Sequence, residues 1–165
     1  MKKVIIALLM VLPLSAMAQK FGYMNYNDVL TAMPEYLQAQ NKLTDLKAQY
    51  KAETTRSEED FNRKYNEFLE GQKDFPQNIL QKRQKELQDL YQNGVQFREE
   101  CEKLLKNAET ELTNPAKAKL NAAIGQVGTE MQLDYIVNVE NNNILFVGPN
   151  GIDITNAVLT KLGMQ

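Results

Sequence analysis

The chain has 165 residues, with 19 basic against 21 acidic side chains, one cysteine and no histidine. That balance leaves no basic stripe for a nucleic acid, and the commonest general base and metal ligand is missing altogether. Cys101, alone, cannot form a disulfide within its own chain and has no histidine to activate it, so packing must supply the stability and no enzyme is expected.

Residues 1–18 read as a signal peptide. Lys2 and Lys3 give a basic start, Val4 to Leu14 is apolar, and Ala16-Met17-Ala18 is a small-x-small cleavage signature before Gln19. The apolar run falls well short of the ~20 residues that a membrane-spanning helix needs. No cysteine follows the cleavage site, which argues against a lipid anchor. The expected mature chain is therefore Gln19 to Gln165, exported and soluble. Removal of Lys2 and Lys3 leaves 17 basic residues against 21 acidic ones, a net charge of −4.

Residues 19–34 hold a short strand, Phe21-Gly22-Tyr23-Met24, and a short helix over Asn25 to Met33 with Asn27 as its cap. Residues 35–114 then form two amphipathic limbs of matched length, Glu35 to Asp74 and Pro76 to Asn114. They are folded about Asp74-Phe75-Pro76 and bracketed by Pro34 and Pro115, so the tip lies near residues 71–78. This pattern describes an antiparallel helical hairpin, an arm with limbs of roughly 60 Å at 1.5 Å per residue.

The seam of the first limb runs through Leu43, Leu46 and Tyr50, then steps eleven residues to Phe61, Tyr65 and Phe68. In the second limb Leu87, Leu90, Gly94, Phe97, Cys101, Leu104 and Ala108 alternate steps of 3 and 4, a coiled-coil pattern. Cys101 on this stripe reads as a small buried hydrophobe. Folding the limbs together sets Gly94 against the polar stretch Thr54 to Ser57. Glycine weakens a helix by about 1 kcal/mol relative to alanine, so Gly94, Thr54 and Ser57 form the candidate hinge of the arm. The charges alternate in sign along both limbs, as on a solvated helix face.

Residues 115–165 read as a restarted helix carrying Leu120, Ile124, Val127 and Met131, followed by a tight β-hairpin. Its strands are Asp134 to Val139 and Ile144 to Val147, its turn Glu140-Asn141-Asn142-Asn143, and Gly148-Pro149 stops it. Asp153-Ile154-Thr155 opens a last helix through Val158, Leu159 and Leu162, closed by Gly163. The expected fold class is α+β: a long antiparallel helical-hairpin arm on a small β-rich body. Three short strands with both edges open call for pairing with further copies of the chain.

The ends of the chain carry a specific likeness. Phe21-Gly22-Tyr23, Asn27-Asp28-Val29-Leu30, Met33-Pro34-Glu35-Tyr36, Leu133-Asp134-Tyr135-Ile136-Val137 and Gly151-Ile152-Asp153-Ile154-Thr155 resemble the Skp/OmpH family of periplasmic chaperones. The resemblance implies a homotrimer whose strands form an oligomerisation body, with three projecting arms around a cavity. It implies an ATP-independent holdase that shelters unfolded outer-membrane β-barrel proteins from aggregation before membrane insertion. Phe21, Tyr23, Ile136, Val137, Ile144 and Phe146 match the strand positions and are the candidates for oligomerisation.

Leu69, Ile79, Tyr91, Val95 and Leu105, apolar residues off the seam, are the candidates for facing the client. The partners so implied are unfolded outer-membrane β-barrel proteins, other copies of the chain and, peripherally, the membrane surface. Members of the family can be strongly basic, a property linked to acidic clients and lipopolysaccharide. This chain is mildly acidic, so apolar contact and shape carry more of the capture and salt should matter little. No cofactor, metal or catalytic residue is expected: no phosphate-binding Gly-Lys-Ser/Thr loop is present, and Gly148-Pro149-Asn150-Gly151 reads as a turn. The rival reading is a cell-envelope coiled-coil scaffold or tether without chaperone activity, which would need a docking patch at Gly71 to Asn78.

Overall fold

Where the long helices begin is decided at Met33. Its backbone is extended (φ −69°, ψ 127°), as the residue before a proline prefers, and Pro34 takes the first helical position, where a missing N–H is no loss. The computed structural model describes residues 19–140 and 144–164. Along them run β1 (Phe21–Met24), α1 (Tyr26–Ala32), α2 (Pro34–Gly71), α3 (Gln77–Glu130), β2 (Tyr135–Asn138), β3 (Gly151–Asp153) and α4 (Thr155–Lys161). The fold is α+β, mostly helical with a small three-stranded sheet. The leader expected over residues 1–18 and the turn residues Asn141–Asn143 lie outside the described residues. No described helix is long and apolar enough to cross a membrane.

The chain divides into two units, residues 28–121 and residues 1–27 with 122–165. In the first, α2 and α3 pair antiparallel. The pairing is marked by ion pairs between Glu35 and Lys119 and between Glu58 and Arg98, and by the Phe61 and Tyr91 rings, whose centroids are 6.0 Å apart. The turn between the helices is closed by backbone bonds from Gln72 N–H to the Phe68 carbonyl and from Asp74 N–H to the Gly71 carbonyl. Phe75 folds back over Gly71, where a Cβ would strike its ring, and packs 6.4 Å from the Phe68 ring. Glycine at this position is what lets the tip seal itself.

The core of this unit gathers Val29, Leu30, Met33, Ala39 and Leu43 with Cys101, Ala116 and Leu120, all fully buried. Burying a leucine or methionine contributes about 1.5–3 kcal/mol, so this cluster holds the helices together. Two expectations change here. The helix does not restart at Pro115: α3 passes through it, with Pro115 exposed on the outer side. One backbone hydrogen bond is lost, but burial of Leu112, Thr113, Ala116 and Leu120 around the proline outweighs the break, and the Thr113 hydroxyl donates to the Glu109 carbonyl at 2.7 Å. The seam also shifts after Cys101, because Leu104 is 50% exposed while Leu105 turns inward with Ala108 and Leu112. A second step of four in succession keeps the stripe in line with Ala116 and Leu120 at the end of the unit.

In the other unit, β1 lies between β2 and β3, parallel to both. Phe21 pairs with Tyr135 in register and their rings stack at 5.6 Å, while Gly22 sits under Leu133 and Ile154, where a Cβ would come within 2.7 Å of Leu133 and 2.9 Å of Ile154. Among the described residues the expected β-hairpin does not form. Both of its supposed partners would have to be neighbours, yet β1 stands between β2 and the next strand, and that next strand is Gly151–Asp153 rather than Ile144–Val147. The bond from Gly151 N–H to the Gly148 carbonyl turns the chain directly into β3.

The cap of α1 is Asn25 rather than the expected Asn27: the Asn25 side chain accepts the Asn27 N–H at 3.1 Å. Helix α3 ends with Gln132 at φ 54° and a bond from Leu133 N–H to the Gly128 carbonyl, a left-handed cap that more often uses glycine. The Asp153 carboxylate accepts the Thr155 N–H at 2.9 Å, and Gly163 closes α4 at φ 72°. Met24, Ala123, Val127, Ile154, Val158 and Leu162 form the buried core of this unit.

Candidate functional site

Two flanks run along the paired helices, one on each side of the seam, and they differ in chemistry. On one, Asp60, Arg63, Lys64 and Glu67 of α2 form a ladder of ion pairs, with Lys64 3.2 Å from Asp60 and Arg63 3.0 Å from Glu67. Arg83 of α3 lies 3.2 Å from Glu86 beside them. The Lys64 ammonium, and then the Arg63 guanidinium, hold the Asp60 carboxyl below its usual range. Lys119 does the same for Glu35 at the other end of the hairpin. All these groups are exposed, so the pairs contribute little stability each.

On the opposite flank a cleft of about 260 Å³ opens between the helices, lined by Thr54, Ser57 and Phe61 of α2 and by Tyr91, Gly94 and Val95 of α3. The three residues expected at a hinge thus share one place: Gly94 faces Ser57, and a Cβ there would meet the Ser57 hydroxyl at 3.6 Å, an ordinary contact. Nothing in the packing demands the glycine. The cleft exists because small and polar residues face each other where larger apolar ones would interdigitate. Its rim is the Glu58–Arg98 pair, and above it Phe61 stacks on Tyr65 at 5.9 Å.

Of the residues expected to face a client, Leu69 is 43% exposed and Tyr91 61%, while Val95 is half-buried on the wall of the cleft. Ile79 is exposed too, but it stands in the helical row of Arg83 and Glu86, on the charged flank. Leu105 is half-buried in the seam. Tyr65, read from the sequence as seam, is 43% exposed, because the seam line passes through Phe61 and Phe68 and leaves Tyr65 on the flank.

Of the strand residues, Phe21, Tyr23, Ile136 and Val137 are half-buried in or beside the sheet. Ile144 is half-buried and Phe146 is 81% exposed in the segment before β3, next to Leu145 at 92%. Leu145 escaped the sequence reading because a strand would have put it and Phe146 on opposite faces, one of them covered. At the end of β2, where the Tyr26 N–H donates to the Asn138 side chain, the Tyr26 hydroxyl has its pKa raised by burial and by the Glu140 carboxylate.

Residues 20–162 match the family described as Outer membrane protein (OmpH-like), nearly the whole chain. No curated protein matches it.

Proposed function

The chain belongs to the OmpH-like family, and from that premise we propose that it is an ATP-independent holdase of the periplasm. It binds unfolded outer-membrane β-barrel proteins in a cavity between helical arms and keeps them from aggregating before insertion. The family match over residues 20–162 carries this reading. An unfolded membrane barrel exposes strands with one apolar face, which aggregate in water. Holding such varied chains calls for many weak contacts that together give avidity and still allow release. Long paired helices with apolar residues left on their flanks suit that task.

Three copies assemble through the sheet. Its strands of 4, 4 and 3 residues are short, and β2 and β3 each pair on one side only among the described residues. Edges of that kind, beside Leu145 and Phe146 at 92% and 81% exposure, are better covered than left in water. Phe21, Tyr23, Ile136, Val137, Ile144 and Phe146 are the contacts assigned to this body. Export follows from Val4 to Leu14 and the Ala16-Met17-Ala18 site. Each arm bends at Gly94, Thr54 and Ser57.

The test dilutes a urea-unfolded outer-membrane barrel protein into buffer with and without the purified mature chain and follows turbidity, with solution mass measured alongside. Suppression by a particle of three chains is the expected result. No suppression at a few-fold excess would replace the holdase with an envelope scaffold, and a monomeric mass would remove the cavity.

A further inference from the structure

The flank that carries the cleft has a chemistry that apolar contact alone does not explain. On α3, Gln77, Gln81, Gln84, Gln88 and Gln92 recur at steps of 4, 3, 4 and 4, and all five are exposed. Such steps keep side chains in one row. Tyr91 and Val95 border the row over the cleft. Facing them on α2 are Asn62, Tyr65, Asn66 and Leu69, again exposed and uncharged. Lys85 and Asp89 stand one step further round α3, on its outer side, and the Glu58–Arg98 pair closes the strip toward the middle of the hairpin. Between these limits lies a strip of amides and aromatic rings, in a chain where the other flank is a ladder of ion pairs.

We propose that this uncharged strip holds extended segments of the unfolded barrel protein, its amides bonding the segment's unpaired peptide groups while Tyr65, Leu69 and Tyr91 contact every second side chain. The inference rests on the holdase reading above and names the surface and the client groups that serve it. A glutamine amide supplies both a donor and an acceptor, as does the peptide group of an unpaired strand. Charged side chains would instead be drawn to water and to one another. The alternation of a strand puts its main chain and its apolar face within reach of the two kinds of residue at once.

The dimensions agree with that occupant. Gln77 to Val95 rises about 27 Å along the helix at 1.5 Å per residue. At ~3.3 Å per residue that length takes about eight residues of extended chain, close to the 9–11 of a membrane-spanning β-strand. The tyrosines add ring contacts for the aromatic girdles that such strands carry. A strip without net charge also makes no demand on the charge of the segment, which suits varied clients.

The experiment compares the full mature chain with a variant carrying Gln81→Ala, Gln84→Ala, Gln88→Ala and Gln92→Ala together. Alanine is the strongest helix former, so folding is preserved, and circular dichroism and solution mass check it. The variant should need at least about fivefold more chain for half-suppression of barrel-protein turbidity, as expected when several weak contacts are removed at once. In the unaltered background, a photo-crosslinking amino acid in place of Gln88 should capture the barrel protein, and one in place of Arg63 should not. Equal suppression by variant and wild type, or capture from Arg63 in preference to Gln88, overturns the proposal and leaves the holdase reading standing. Crosslinks from Gln88 to another copy of the chain alone overturn it as well. Failure of the wild type to suppress turbidity at all removes the holdase reading itself.

Discussion

The paired helices are two different structures along their length. Near Pro34, residues 28–43 and 101–121 contribute Met33, Ala39, Leu43, Cys101, Ala116 and Leu120, each with at most 4% of its surface exposed. Among the described residues 44–100 none is fully buried: Phe61, Phe68, Leu87, Leu90 and Phe97 are only half covered, and ring contacts and ion pairs span the remainder. The difference follows from side-chain size and polarity at the seam. Where leucine and alanine alternate, two helices approach and interdigitate; where Thr54 and Ser57 face Gly94, they leave a cleft. One end is built for stability, and the other keeps apolar surface available.

Core truncation tests the contrast most directly. Leu120→Ala should lower stability by about 3–4 kcal/mol, since the site is closed on all sides, while Leu90→Ala in the half-buried region should lower it by about 1–2 kcal/mol. Urea denaturation measures both. Equal losses would erase the distinction between the two regions.

A smaller effect is expected at the cleft. Gly94→Ala should raise stability by about 1 kcal/mol, because the added methyl meets Ser57 without a clash and the helix gains alanine's propensity. Amide exchange from Leu90 to Phe97 should slow in parallel. If exchange near Gly94 in the wild type is already as slow as near Leu87 and Leu104, the arm does not bend there.

The smallest effect concerns acid. Glu35 in the tight region and Asp60 in the loose one both have lowered pKa values, by Lys119 and by Lys64 with Arg63 respectively. A carboxylate whose folded pKa lies below its unfolded one stabilises the fold above the unfolded value, about pH 4, and that contribution is lost as pH falls through the folded pKa. A denaturation series from pH 6 down to pH 2 should show a shallow decline, reduced in Lys119→Met and Lys64→Met. Both carboxylates are exposed, so the decline should be slight next to the effect of Leu120→Ala.

Much of this molecule was legible in the residues because helices are local. The limb boundaries follow from Pro34 and Phe75-Pro76, and the opposition of Gly94 to Ser57 follows from folding equal limbs about that turn. The shift from Leu104 to Leu105 was not legible: either continuation fits a helical period, and only the alignment with Ala116 and Leu120 selects one. Pro115 misled for a related reason. A proline read alone is a stop, but burial on both sides of it carries α3 through. In the candidate site, the exposure of Tyr91 and Leu69 agrees with their place off the seam, whereas Ile79 and Leu105 needed the fold to show which side each one takes.

Composition and spacing by themselves determined that this chain folds as a long helical pair with a small sheet, since a 3,4 repeat bounded by prolines has few other ways to bury its stripe. They could not determine how the sheet is wired. Strand residues declare a period of two and nothing about their neighbours, and β1 is far in sequence from both of the strands it joins. Its partners were chosen by backbone hydrogen bonds and by Gly22, which lets Leu133 and Ile154 close over the strand. That choice turned an expected hairpin into a parallel sheet and left Leu145 and Phe146 in the open. Pairings between distant segments are settled only when the whole chain packs.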